Sequence, residues 1–228
     1  MEPNLEEKNK MPYELALKND KRTYFQYYSS LIQTKHAIAF SFIYNKDYNS
    51  KIIKIDLFFI GFVIFFTINA LFFNDNTMHK IHIDKGAFDF LYQIPQIVYS
   101  FLISSILDIL ITFFSLSEDD ILEFKNDKNK KTLNQRHKNL KKKLQIKFIF
   151  YFIISFLLLV FFWYYLAMFG VIYKNTQIHL IKDTGISYAL SFVSPFGFYL
   201  IPGIFRKFSL SKKNRKCFYQ ISLFVQSI

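Results

Sequence analysis

Asp108 sits where a charge is expensive. It interrupts an otherwise uncharged run from Phe90 to Ser117. A carboxylate in the middle of a membrane helix costs ~2.5–3.5 kcal/mol on insertion scales, and such groups face a bundle interior or water. At ~1.5 Å of rise per residue from the charge-rich end of each apolar run, Thr67 and Ser155 fall at the depth of Asp108. They are its expected hydroxyl partners. Ser104, Ser105 and Thr112 add polarity to the same segment. Two chemistries fit. Asp108 could line an ion or proton pathway, or a protonated Asp108 could be hydrogen-bonded between helices and hold them together. The packing reading is favoured. Asn69 differs from Asp108 in depth by about two helical turns and is expected to form its own interhelical hydrogen bond.

Other residues offer weaker chemistry. His79-Lys-Ile-His-Ile-Asp84 matches the His-x4-Asp spacing of membrane acyltransferases, in which Asp orients a His base. No companion Gly-rich or Arg motif accompanies it, so a chance match is preferred. His79, His82 and Asp84 as metal ligands are equally weak, and neither a metal nor a cofactor is expected. Pro195, Gly197, Pro202 and Gly203 break the regularity of the last apolar run. Pro195 and Pro202 are therefore candidate hinges, with a kinked packing helix as the favoured reading. Cys217 is the only cysteine, so no intrachain disulfide can form. Its basic surroundings would suit S-palmitoylation, although a reduced thiol is the default.

These residues need elements to hold them, and the distribution of apolar residues supplies those elements. A crossing helix needs ~20 apolar residues for a ~30 Å hydrocarbon core. Leu57 to Asn74, Phe90 to Ser117, Phe148 to Tyr173 and Thr184 to Phe205 each approach or exceed that length. The expected fold is an all-α integral membrane protein. It is a bundle of four transmembrane helices, at about 55–74, 92–117, 148–173 and 184–205, plus an N-terminal interfacial helix. Helices are preferred to strands because the runs are continuous rather than alternating. Residues 23–44 carry many Tyr and Phe but only a short apolar part, which gives the interfacial helix. Residues 1–52 then form a cytoplasmic N-terminal tail with the interfacial helix, 118–147 a basic cytoplasmic loop, and 206–228 a basic cytoplasmic tail.

Orientation follows from the basic residues. Ten Lys/Arg lie between Lys125 and Lys147. Lys35, Lys46, Lys51 and Lys54 precede the first span, and Arg206, Lys207, Lys212, Lys213, Arg215 and Lys216 follow the last. The two remaining loops hold only Lys80, Lys85, Lys174 and Lys182. Positive residues stay inside, so both termini are expected in the cytoplasm of a multi-pass protein. The acidic, polar stretch Met1–Glu14 lacks the apolar core of a signal peptide, so the first span is expected to direct insertion. Trp163, Tyr164, Tyr165 and Tyr188 would then fall at the outer interface.

The net charge of +12 belongs to these flanks, which favours a membrane surface over nucleic acid. Lys130, Lys131, Arg136, Lys138, Lys141, Lys142 and Lys143 are set among Leu133, Leu140 and Leu144, the pattern of a juxtamembrane helix lying on anionic lipid. Lipid is the expected partner, along with a homo- or hetero-oligomer.

The strings DYNSKIIKIDLFF, NALFFND, YQIPQIVYS, FFWYYL, NTQIHLIKD and IPGIFRK resemble an uncharacterised multi-pass transmembrane protein family of AT-rich protists, over roughly residues 12–207. That resemblance implies a membrane location and little more. The order Asn69-Ala70, Ser104-Ser105, basic loop, Trp163-Tyr164 and Ile186 to Phe192 is also similar to the membrane segments of polycystin-1-type proteins. The lipid-binding β-sandwich, the cleavage domain and the channel-type helices of that family have no counterpart here. The expected role is a non-enzymatic membrane component, such as a channel- or receptor-associated subunit. The alternatives are an oligomeric ion channel or transporter with Asp108 in its pathway, and a membrane-bound lipid-modifying enzyme.

Overall fold

A computed structural model describes residues 3–43, 46–126, 133–173, 176–211 and 215–227. The helices along the chain are α1 (Leu5–Asn9), α2 (Tyr13–Asn19), α3 (Tyr24–Lys35), α4 (Ala37–Phe42), α5 (Lys51–Leu71) and α6 (Asp75–Ile83). They continue as α7 (Phe90–Ser115), α8 (Glu118–Asn126), α9 (Leu133–Ile172), α10 (Gln177–Phe198), α11 (Leu200–Leu210) and α12 (Lys216–Ser227). No strand occurs among the described residues. Four stretches are long and apolar enough to cross a membrane: Lys51–Leu71, Phe90–Ser115, Leu133–Ile172 and Gln177–Leu210. A helix pairs its own N–H and C=O groups, which hydrocarbon demands.

Two stretches differ in length from the sequence expectation. α9 is a single helix of 40 residues, ~60 Å long at ~1.5 Å per residue and about twice the hydrocarbon thickness. The basic residues Arg136, Lys138, Lys141, Lys142 and Lys143 ride on its first turns. They extend the spanning helix along its own axis and do not form a separate helix lying flat. Nothing breaks the helix there, because Lys, Leu and Gln are all good helix formers. Lys130 and Lys131 lie outside the described residues. The fourth stretch begins at Gln177, about two turns before Thr184. Lys182 and Asp183 are therefore helical, not loop, residues.

The chain divides into two units. One comprises the described residues of 56–116 and 137–191. Its α6 starts at Asn74, whose Oδ1 accepts from Thr77 N–H at 2.9 Å. It ends with Lys85 and Gly86 at φ 51° and 81°, where Gly86 N–H returns to Ile81 O at 2.9 Å. Glycine takes that left-handed turn at no steric cost. Ala70, Phe73, Ile81, Phe169 and Leu180 form a buried cluster, with Phe73 edge-on to Phe169 at 5.7 Å between centroids. Elsewhere the usual arrangement is inverted. On α7, Gln93, Ser100, Ser104 and Ser115 are buried, whereas Leu91 and Phe113 are 77% and 71% exposed. Polar side chains inward and apolar ones outward is the pattern of a helix solvated by lipid.

The other unit comprises the described residues of 1–55, 117–136 and 192–228. The N-terminal region is built into it rather than being a tail. Asn4 and Glu7 cap α1 reciprocally, and Thr23 and Gln26 do the same for α3. The expected interfacial helix is two helices, broken at His36, whose φ/ψ of −69° and 125° are extended. Part of its polar character is spent on protein. Tyr24 and Tyr28 hydroxyls donate to Leu200 O and Phe196 O at 3.2 and 3.0 Å, and His36 Nε2 lies 3.0 Å from Phe192 O. α3 meets α11 so closely that a Cβ on Gly203 would stand 2.8 Å from a Tyr24 ring carbon.

Pro202 lies in the first turn of α11, where a missing N–H leaves no bond unmade. Pro195 lies inside α10, and the chain passes into α11 at Tyr199, whose N–H still bonds to Pro195 O at 3.0 Å. The C-terminal segment is likewise more than a basic tail. Arg206 is 2% exposed. It donates to Asn9 O and Lys8 O at 2.9 Å each, satisfying the last carbonyls of α1, and to Asp20. The rings of Tyr27 and Tyr219 lie against its guanidinium at 4.6 and 4.8 Å.

Candidate functional site

The polar residues of the unit formed by 56–116 and 137–191 fall into one sequence along the apolar helices. At one end is Asp183 on α10, 0% exposed. Gln96 Nε2 donates to its Oδ2 at 3.2 Å. The Gln93 amide, turned to donate, reaches the two Asp183 oxygens at 2.5 and 3.0 Å. One turn before Asp183, His179 Nε2 lies 3.2 Å from Gly86 O, and its Nδ1 is buried without a partner. One turn after it, Ser187 Oγ donates to Asn69 Oδ1 at 3.2 Å, and Asn69 Nδ2 donates to Phe65 O at 2.8 Å. Asn69 thus makes the expected interhelical bond.

Asp108 comes next. It is half-buried on α7, and its Oδ1 stands 3.3 Å from where a Cβ on Gly61 would be. Only glycine leaves that space on α5. Thr67 does not partner Asp108, because its hydroxyl donates to Val63 O one turn back at 2.8 Å. Ser155 does not either; its buried hydroxyl faces Tyr151, one turn back on α9. Equal depth brought Thr67 and Ser155 to the right level but says nothing about which way each faces around its helix. At the far end, Tyr151 Oη donates to Asp56 Oδ2 at 2.5 Å.

Three carboxylates therefore stand on the apolar helices. Among the described residues, none has a Lys, Arg or His in ion-pair contact. Gln96 precedes Asp108 by ~18 Å along α7, and Asp56 precedes Gly61 by ~8 Å along α5, at ~1.5 Å per residue. Together the three carboxylates cover most of a ~30 Å core. Between Gln96 and Asp108 on α7, Ser100 and Ser104 are buried with hydroxyls that make no hydrogen bond, as is Thr184 beside Asp183. Such groups cost a few kcal/mol each unless water or an ion meets them. Gln93, Gln96, Ser100, Ser104 and Asp108 recur every three or four residues, which places them on one face of α7.

Of these, Asp56, Gln93, Gln96 and Asp183 were not singled out by sequence reading. Their spacing was the available signal: Asp183 and Ser187 four apart on α10, and the three-four series on α7. The His79–Asp84 pair does not form among the described residues. Asp84 is instead ion-paired with Lys80 at 3.0 Å. No group of three His, Cys, Asp or Glu able to hold a metal occurs among the described residues. Comparison with protein-family models, curated proteins and solved structures returns no match.

Proposed function

We propose that this protein passes protons or a small monovalent cation along the polar face of its apolar helices, with Asp183, Asp108 and Asp56 as successive stations. The observation that carries this reading is the row of three carboxylates without counter-ions, separated by hydroxyls without partners. A carboxylate used only for packing would be expected to spend its hydrogen bonds on neighbouring helices, and Asp108 spends none on protein. The charge bias supports an orientation with both termini and the basic start of α9 in the cytoplasm. Asp183 would then serve the outer mouth and Asp56 the inner one. Protein reconstituted into liposomes loaded with a pH-sensitive dye tests this. A potential imposed with potassium and valinomycin should drive proton entry above that of empty liposomes. A sodium-selective dye distinguishes the cation.

A second reading keeps the chain as a non-enzymatic packing subunit of a larger membrane assembly. The Asn69–Ser187 bond between α5 and α10 favours it. Under this reading, replacing Asp108 by Asn changes assembly and melting but moves no ion.

A further inference from the structure

A cleft of about 530 Å³ opens in the other unit, between the end of α1 and the start of α3. Its polar lining includes Lys8, Asn19, Asp20, Lys21, Arg22 and Gln26. Asp20 is the one acid among them, and it is already saturated. Its Oδ1 accepts from Arg22 Nε at 2.8 Å, and its Oδ2 accepts from Arg22 Nη2 at 3.0 Å and Arg206 Nη2 at 2.8 Å. Arg22 is held equally firmly, by Asn9 Oδ1 at 2.8 Å and Lys8 O at 3.0 Å. Asp20 and Arg22 thus form a fixed wall with little freedom to rearrange.

The donors left over all belong to the cleft. Among the described residues, the ammonium groups of Lys8 and Lys21 have neither a hydrogen bond nor an ion pair. Gln26 Oε1 is held by Thr23 N–H at 2.9 Å, which leaves its Nε2 to donate. The Asn19 amide is also unengaged. Two ammonium groups and two amides, set against a neutralised acid, select an anion of more than one negative charge. A phosphate monoester carries about −1.5 to −2 at neutral pH and offers three acceptor oxygens. The volume falls within the ~300–1,000 Å³ of small-ligand sites, which leaves room for a sugar or polyol beside the phosphate.

We infer that this cleft binds a phosphorylated polyol through its phosphate monoester, with Lys8 and Lys21 as the principal contacts. The same chemistry is offered by a phosphoinositide headgroup and by a soluble polyol phosphate. Phe25, which follows Tyr24 at the start of α3, is 76% exposed and gives an adjoining apolar surface for a lipid.

The test uses the full chain in phosphatidylcholine nanodiscs, titrated with dioctanoyl phosphatidylinositol 4-phosphate and, separately, with its headgroup inositol 1,4-bisphosphate. Saturable binding should weaken about tenfold or more in the Lys8→Gln/Lys21→Gln variant, the scale of losing charge-assisted hydrogen bonds. The variant should melt like the wild type, since neither lysine holds a partner. A Lys51→Gln/Lys216→Gln control, at two exposed lysines outside the cleft, should bind normally. Binding of the lipid alone assigns the site to a membrane headgroup, and equal binding of inositol 1,4-bisphosphate assigns it to a soluble ligand. Unchanged binding by Lys8→Gln/Lys21→Gln, equal binding of dioctanoyl phosphatidylinositol without the monoester, or no saturable binding of either probe overturns the inference.

Discussion

Arg206 and Asp20 stand 186 residues apart in sequence and are joined by two hydrogen bonds, from Nη2 at 2.8 Å and Nε at 3.0 Å. The pair ties α11 to the N-terminal helices. Removing one member of a buried pair typically costs ~3–5 kcal/mol. Arg206→Met should fall near the lower end of that range because Arg22 still faces Asp20. Denaturant unfolding followed by protection of the N-terminal segment from a protease measures it. Arg206→Lys should recover only part of the loss, because a single ammonium cannot reproduce the forked contact.

Asp20 also predicts an acid response. Burial pushes its carboxyl up, but hydrogen bonds and charge from Arg22 and Arg206 prevail and hold it below its usual 3.8. A depressed carboxyl stabilises the fold above its unfolded value. That stabilisation is lost as pH falls through the folded value. The helices around Asp20 should therefore loosen only below pH 3.8. Asp20→Asn should flatten this acid limb in circular dichroism melts.

Glu118 predicts the opposite slope. Burial, with the negative charges of Glu6 and Asp47, raises its carboxyl from 4.5 to about 7, against a hydrogen bond from Asn4. Asn4 and Asn49 amides hold its two oxygens at 3.0 and 2.9 Å. A raised carboxyl gives stability that is fully present below 4.5 and disappears as pH climbs through about 7. Melting temperature should therefore decline across that window, and Glu118→Gln should remove most of the decline. A flat wild-type profile would show that ionised Glu118 is tolerated at no cost.

Gly61→Ala probes the space beside Asp108. The new Cβ would stand 3.3 Å from Asp108 Oδ1, closer than most such contacts, so the carboxylate must shift by a few tenths of an ångström. Stability should change by no more than ~1 kcal/mol. Ion passage should fall much further, because it depends on where that carboxylate stands. Gly61→Val adds bulk and should cost ~1–3 kcal/mol through overpacking. Detergent-resistant melting and flux, measured on the same preparations, separate the two effects.

Long uncharged runs made the four apolar helices readable in the sequence, because hydrocarbon thickness fixes their length. The interior was less readable. Gln93 and Gln96 carry no charge, so they did not interrupt the run that defined α7. Asp183 lies beside Lys182, and the two together looked like a loop, although one faces inward at 0% exposure and the other does not. Arg206 looked like a topology signal of the kind expected just past a span. Only the folded chain brings Asp20, Lys8 and Asn9 around it. Which way a side chain faces on a helix depends on the neighbours that pack there, and apolar runs do not encode those neighbours.

The most direct test of the central claim compares Asp108→Asn with Asp108→Glu in dye-loaded proteoliposomes under an imposed potential. Asn keeps the size and loses the titratable group; Glu keeps the group. Flux should drop to the empty-liposome level for Asn and recover in part for Glu, while melting stays unchanged for Asn. Wild-type flux no greater than that of empty liposomes, or full flux in Asp108→Asn, would contradict the claim.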